Sequence, residues 1–278
     1  MTLAAVSPEY VAARRVLLDA LELLHPHLDA VVLVGAQAVY HHAPLGDPRP
    51  TYTTDADLAL DPELLAVQPD IAQSLAAAGF TPSPRGDPGS WSSPDGIMVD
   101  LMVPDGAMSP STRRTAVLDG HGRLTARRTR GLELTLLDNS LVTLTALDPR
   151  DARSIDVRVA SPASLVIAKV FKLQERIDAG RDDRLSSKDA GDLLRLLRNI
   201  PADSLGYSLR DLTESHPEVE PIVDSAINWL DGQQSDRAAI VALAIEDRAD
   251  IEDPAQISAA MRGLAARMTA AYRGRDGG

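Results

Sequence analysis

Asp55 and Asp57 stand two positions apart in the run Tyr52-Thr53-Thr54-Asp55-Ala56-Asp57-Leu58-Ala59-Leu60, which ends in three apolar residues. No other stretch constrains the chain as tightly. Side chains alternate along a strand, so both acids project from one face, roughly 6.5 Å apart along the backbone. A polar group buried without a partner is costly, and a charged one more so. Two like charges beside an apolar strand therefore require a cation, and hard divalent cations take carboxylate oxygens. Upstream, Ala30-Val31-Val32-Leu33-Val34-Gly35-Ala36 reads as a short apolar strand running into a glycine turn, where backbone N–H groups at a helix start can approach an anion. Downstream, Ile97-Met98-Val99-Asp100-Leu101-Met102-Val103 reads as a second apolar strand with one acid at its centre. Asp100 is the natural third ligand. The plainer reading has Asp55 capping a turn, Asp100 facing solvent at a strand edge, and the glycine serving only to pack the turn.

Composition narrows the classes. The chain has 278 residues, 44% hydrophobic and 24% charged, as in an ordinary globular protein with ample core. Aromatic residues make up only 3%, so the core must rest on Leu, Val, Ile and Ala. With no cysteine, disulfides and thiolate zinc sites are excluded, which fits a reducing compartment. The apolar stretch Ala30 to Val39 is interrupted by Gln37 and too short to span a bilayer. The N-terminus carries Glu9 and no basic-then-apolar signal pattern. A cytoplasmic protein with no membrane partner is expected. A net charge of −12 argues against non-specific coating of nucleic acid. One segment dissents: Arg113, Arg114, Arg123, Arg127, Arg128 and Arg130 are opposed only by Asp119. That island is either a solvated hairpin or a face for a polyanion.

The pattern predicts an α/β domain over residues 1–160 and a mostly helical domain over 161–278 that closes a cleft, with the boundary near Ser161. In the first, helices are expected over Pro8–Leu24 (capped by Ser7), Gln37–His42 and Glu63–Ala78. Strands are expected over Val31–Val34, Asp57–Leu60 and Ile97–Val103, and less distinctly over Gly122–Arg130, Leu132–Leu137, Leu141–Thr145 and Ile155–Val159. Proline and glycine make residues 43–50 a loop and Thr81–Gly96 a long mobile loop around Trp91, a side chain that either stacks on a base or pins its loop. In the second domain, helices are expected over Pro162–Ala179, Ser187–Asn199, Ser208–Ser215, Glu218–Leu230, Asp236–Asp247 and Pro254–Tyr272, and a disordered tail over 273–278. On the first of these, Val166, Val170, Leu173 and Ile177 form an apolar stripe, with Lys169, Lys172 and Arg176 beside it. Lys169 lies nearest the border and is expected to emerge toward the cleft; the alternative is three solvated cations. Asp189 and Asp192 share a face of the next helix, where the helix dipole already favours an acid.

Gly35-Ala36, then Thr53-x-Asp55-x-Asp57-Leu58, then Val99-Asp100-Leu101 resemble the nucleotidyltransferase superfamily that includes DNA polymerase beta. Ala168-Lys169-x-x-Lys172, Arg184 and Ser187-Lys188-Asp189-x-x-Asp192-Leu193 resemble its AbiEii branch, the toxins of type IV toxin–antitoxin systems, and the related MenT toxins. The resemblance spans roughly Gly35 to Leu197 and implies a mixed sheet flanked by helices, followed by a helical domain. It implies two Mg2+ ions, with Mn2+ as a substitute, held by Asp55, Asp57 and Asp100, and Asp100 taking the acceptor's proton. Gly35, Ala36, Thr53, Lys169, Lys172, Lys188 and Asp189 would bind the NTP, with Lys169 also catalytic. The implied acceptor is the 3′ end of tRNA, with a neutralising antitoxin as partner. The chain departs from the pattern at Thr51, where many relatives carry arginine, and at Ala36, where glycine or serine is usual. A protein or small-molecule hydroxyl as acceptor, and a non-catalytic nucleotide-binding protein of the same fold, remain open.

Overall fold

The computed structural model describes residues 6–44, 52–111, 113–180 and 184–274. Most of the proline-rich segment, with Thr51, and the last four residues lie outside them. The chain divides into two compact units, one of Met1–Tyr40 with Pro50–Ser161 and one of His41–Arg49 with Pro162–Gly278.

The first unit is built on a mixed sheet. Helix α1 (Pro8–Leu23) begins where the Ser7 hydroxyl accepts the Tyr10 N–H at 3.1 Å, and it buries Ala13, Leu17, Leu18 and Leu21. Strand β1 (Val31–Val34) is buried along its whole length and passes directly into α2 (Gly35–His42). Strand β2 (Asp55–Leu60) pairs antiparallel with β1, placing Val34 opposite Asp57. After α3 (Ile71–Ala77) come β3 (Thr81–Pro82), β4 (Ser90–Ser92) and β5 (Met98–Pro104). Then follow β6 (Thr115–Ala116), β7 (Ala126–Thr129), α4 (Glu133–Leu137), β8 (Asn139–Thr145) and β9 (Ser154–Ala160). The sheet order is β3-β4-β5-β2-β1-β9-β8, with β7 parallel to the far half of β5 and β6 on β7. The central strands read as continuous apolar runs because both their faces are covered.

A buried arginine ties α1 to the start of β2. The Arg14 guanidinium donates to Gln37 Oε1 at 2.8 Å, the Thr145 carbonyl at 3.0 Å and the Tyr10 hydroxyl at 2.9 Å. Gln37 in turn donates to the Asp55 carbonyl at 3.0 Å. The residue that interrupts the apolar stretch is thus what fixes the backbone of the first acid.

Three local expectations fail, each for a tertiary reason. The helix expected over Glu63–Ala78 forms only as α3, capped by Asp70, whose carboxylate accepts from the Ala72 and Gln73 N–H groups. The preceding segment is held open by two histidines: His27 Nε2 lies 2.9 Å from the Pro69 carbonyl and His121 Nε2 lies 3.0 Å from that of Ala66. His121 Nδ1 accepts the Ile71 N–H at 3.2 Å. The loop expected over Thr81–Gly96 contains β3 and β4, and Trp91 is buried within it, donating its indole N–H to the Thr125 carbonyl at 3.1 Å. It pins the segment and offers no face to a base. Leu132–Leu137, expected as a strand, contains the short helix α4.

Among its described residues the second unit carries α5 (Pro162–Asp178), α6 (Arg184–Asn199), α7 (Ala202–Ser215), α8 (Glu220–Gly232), α9 (Ala239–Arg248) and α10 (Pro254–Tyr272), with no strand. Its largest fully buried side chain is Arg248, which donates to Glu252 at 2.9 Å and to the Gly191 carbonyl at 3.1 Å, joining α9 to α6. Among the described residues no helix is long and apolar enough to cross a membrane.

Burial pushes His27 below the ordinary histidine value; its bond to Pro69 opposes this and His121 adds to it. The neutral ring is therefore the folded form, and its contribution is complete above about pH 6.5 and lost as pH falls through the lowered value. Thermal melts should show the wild type losing stability below about pH 6.5. His27→Leu, less stable at neutral pH, should have a flatter profile over the same range.

Candidate active site

Five side chains share one face of the sheet because of strand register. Asp55 and Asp57 are two apart on β2, and β2 runs parallel to β5 with Asp57 beside Asp100. Ser90 on β4 stands opposite Asp100 from the other side. Arg127 on β7 stands beside Met102, two residues along from Asp100 and therefore on the same face.

Gly35 is the notch in which Asp57 lies. Its φ of +66° belongs to the left-handed region, and a Cβ placed there would stand 2.0 Å from Asp57 Oδ2. Only glycine satisfies both the backbone conformation and the space. The carboxylate thus comes against the main chain where β1 turns into α2, with Ala36 buried in the first turn. Thr53 is fully buried and donates its hydroxyl to Asp55 Oδ1 at 2.5 Å.

Asp100 is engaged at both oxygens. The Ser90 hydroxyl donates to Oδ1 at 2.6 Å and Arg127 donates to Oδ2 at 2.8 Å. Arg127 also donates to Ser90 Oγ at 3.1 Å, closing a three-residue ring. Burial opposes the guanidinium's charge, but Asp100 first, then Asp57 and Asp87, outweigh it and hold Arg127 above arginine's ordinary value. Gly89 makes the approach possible: at φ +76°, a Cβ there would meet the Leu101 carbonyl at 2.3 Å and the Arg127 nitrogen at 2.5 Å.

Carboxylate oxygens on one face, with Asp57 seated in a glycine notch, suit a hard divalent cation in chemistry. The three acids do not converge on a point, however. Among the described residues no three acidic or histidine side chains are gathered into a cation site. The physical reason is visible at Asp100, which turns to Arg127, and at Asp55, which accepts from Thr53.

The basic island divides in the same way. Arg127 is spent on Asp100, and Arg128 on Asp105 at 2.6 Å with its side chain 7% exposed. Arg113, Arg114, Arg123 and Arg130 remain exposed. The single surface expected from the sequence is therefore only partly available to a polyanion. Arg127 and Ser90 escaped notice as companions of Asp100 because only strand register brings them to it.

In the second unit Lys169 is buried rather than emergent. Its ammonium donates to Asp189 and to Asp192, each at 2.7 Å. Burial alone would push Lys169 down, but the two carboxylates outweigh it and raise it above lysine's ordinary range. Burial likewise opposes the Asp189 anion, and Lys169, Lys172 and Arg176 reverse that and hold it low. Lys172 lies 3.4 Å from Asp189 and is the member of the basic stripe that reaches solvent; Arg176 lies 3.1 Å from the same acid. Lys188, the residue before Asp189 on α6, is half-buried.

A family model described as nucleotidyltransferase matches residues 15–211. The chain belongs to that family and is a nucleotidyltransferase. It is similar to a crystal structure from H. pylori provisionally assigned as a nucleotidyltransferase, at 12% identity and a TM-score of 0.41, over 98% of this chain and 100% of that one. No curated protein matches it.

Gly35→Ala should lower folding stability by about 1–2 kcal/mol for the left-handed backbone alone, with a further loss from displacing Asp57, measured by urea denaturation. Lys169→Met should be costlier, about 3–5 kcal/mol near neutral pH, because buried Asp192 loses the Lys169 ammonium and Asp189 loses one of three cations.

Proposed function

We propose that the chain transfers a nucleotidyl group from an NTP to a hydroxyl at the 3′ end of tRNA, using the face that carries Asp55, Asp57 and Asp100. The observation that supports this reading is the register pair Asp57–Asp100 beside the Gly35 notch. In the reaction the acceptor oxygen attacks the α-phosphorus, its bond to the bridging oxygen breaks, pyrophosphate leaves, and the acceptor's proton passes to Asp100. Asp55 and Asp57 would hold Mg2+, or Mn2+ in its place, and Asp100 would complete the set. Bound there, the divalent ions supply charge stabilisation on the attacking and leaving oxygens. Main-chain N–H groups at the start of α2 orient the phosphates, and Thr53 orients Asp55. By the resemblance of the second unit's motifs Lys172 and Lys188, both half-buried, would bind the NTP, while Lys169 and Asp189 hold α5 to α6.

A toxin-like outcome with a neutralising antitoxin follows from the resemblance of the second unit's lysine and acid motifs, and a cytoplasmic location fits the lack of cysteine. A protein or small-molecule hydroxyl as acceptor is favoured by a different observation, the withdrawal of Arg127 and Arg128 from the basic surface into ion pairs with acids.

Labelled NTPs incubated with total tRNA, protein extract or an aminoglycoside, in the presence of Mg2+, distinguish these readings. Label should enter tRNA, and Asp57→Asn should reduce it roughly a hundredfold or more while the protein remains folded. Equal labelling by wild type and Asp57→Asn with every acceptor would overturn the assignment of this face.

A further inference from the structure

The ring of Ser90, Asp100 and Arg127 contains a cation already built into the site. A carboxylate accepts a guanidinium and a divalent ion through the same oxygens. Here one oxygen faces Arg127 at 2.8 Å and the other faces the Ser90 hydroxyl at 2.6 Å. The pair is largely shielded from water, with the two side chains 18% and 21% exposed, so mutual attraction is screened less than at an open surface. The guanidinium also feels the charge of Asp57, so it lies within electrostatic reach of that acid as well. Asp105, by contrast, has its own arginine, Arg128, and the two pairs do not exchange partners in the structure.

We propose that Arg127 is a positioning residue that competes with divalent metal for Asp100, holding that carboxylate until a divalent ion displaces the guanidinium. This rests on the reading of Asp55, Asp57 and Asp100 as the metal-holding face. Three features of the structure are explained together: the acids share a face without converging, Asp100 is turned toward β7, and an arginine from a nominally nucleic-acid-facing island points into the sheet's acidic face. Gly89 and Ser90 are the parts that make the device possible, the first by admitting β7 closely and the second by bridging both partners.

The test reads Mn2+ binding alone, from the loss of the free-ion signal in electron paramagnetic resonance, with no turnover required. Arg127→Gln removes the resident charge and should bind Mn2+ about tenfold more tightly than wild type or better. Arg127→Lys keeps a cation in the same place and should stay near wild type, an outcome that a purely structural arginine would not produce. Adding Asp100→Asn to Arg127→Gln should abolish the gain, assigning it to that carboxylate. Melting curves establish that each variant is folded; if Arg127→Gln is not, Arg127→Met, which retains the packed stem, is read in its place. Wild type and Arg127→Gln binding Mn2+ equally would overturn the competition while leaving the metal-dependent reading intact. No Mn2+ binding by either, at millimolar metal with a non-hydrolysable NTP analogue present, would overturn both.

Discussion

The approach of the Asp57 carboxylate to the main chain of Gly35 governs the rest of the site. An added Cβ would overlap the carboxylate oxygen, so the turn from β1 into α2 and the direction of Asp57 are a single structural decision. Antiparallel pairing of β1 with β2 sets Val34 against Asp57, and parallel pairing of β2 with β5 sets Asp57 against Asp100. A slip of one residue in either register would send an acid to the opposite face. The Arg14–Gln37–Asp55 chain of hydrogen bonds resists such a slip at the start of β2.

Two ways of keeping charge inside a protein are seen in the two units. In the helical unit Lys169, Lys172 and Arg176 neutralise Asp189, and Lys169 also serves Asp192, which joins α5 to α6. Removing one member strands another, so such a cluster makes helix pairing specific even where apolar residues would pack as tightly. In the sheet unit Asp55 accepts from the Thr53 hydroxyl, Asp57 lies in a glycine notch, and Asp100 accepts from Ser90 and Arg127.

The division is also seen along the arginine island. Six arginines within eighteen positions look uniform in one dimension. In three dimensions β7 turns Arg127 toward Asp100, while Arg128, its neighbour, points to the opposite side and reaches Asp105. Strand alternation alone accounts for that split. It changes what the segment can do, from a continuous basic surface to a pair of internal counter-ions flanked by four exposed arginines.

Much of this was legible in the sequence, where local physics decides. The apolar runs around Val31, Leu58 and Leu101 specify buried strands, the two-residue spacing of Asp55 and Asp57 puts them on one face, and helical periodicity after Pro162 specifies the helical unit. What lay beyond it are the relations set by contacts between distant segments. His27 and His121 cut short a helix that periodicity favoured, Trp91 is buried by Thr125 rather than left in a loop, and Lys169 is drawn inward by acids twenty and twenty-three positions away. Strand register brings Arg127 to Asp100, and register is a property of pairing between strands, which no single stretch of sequence carries.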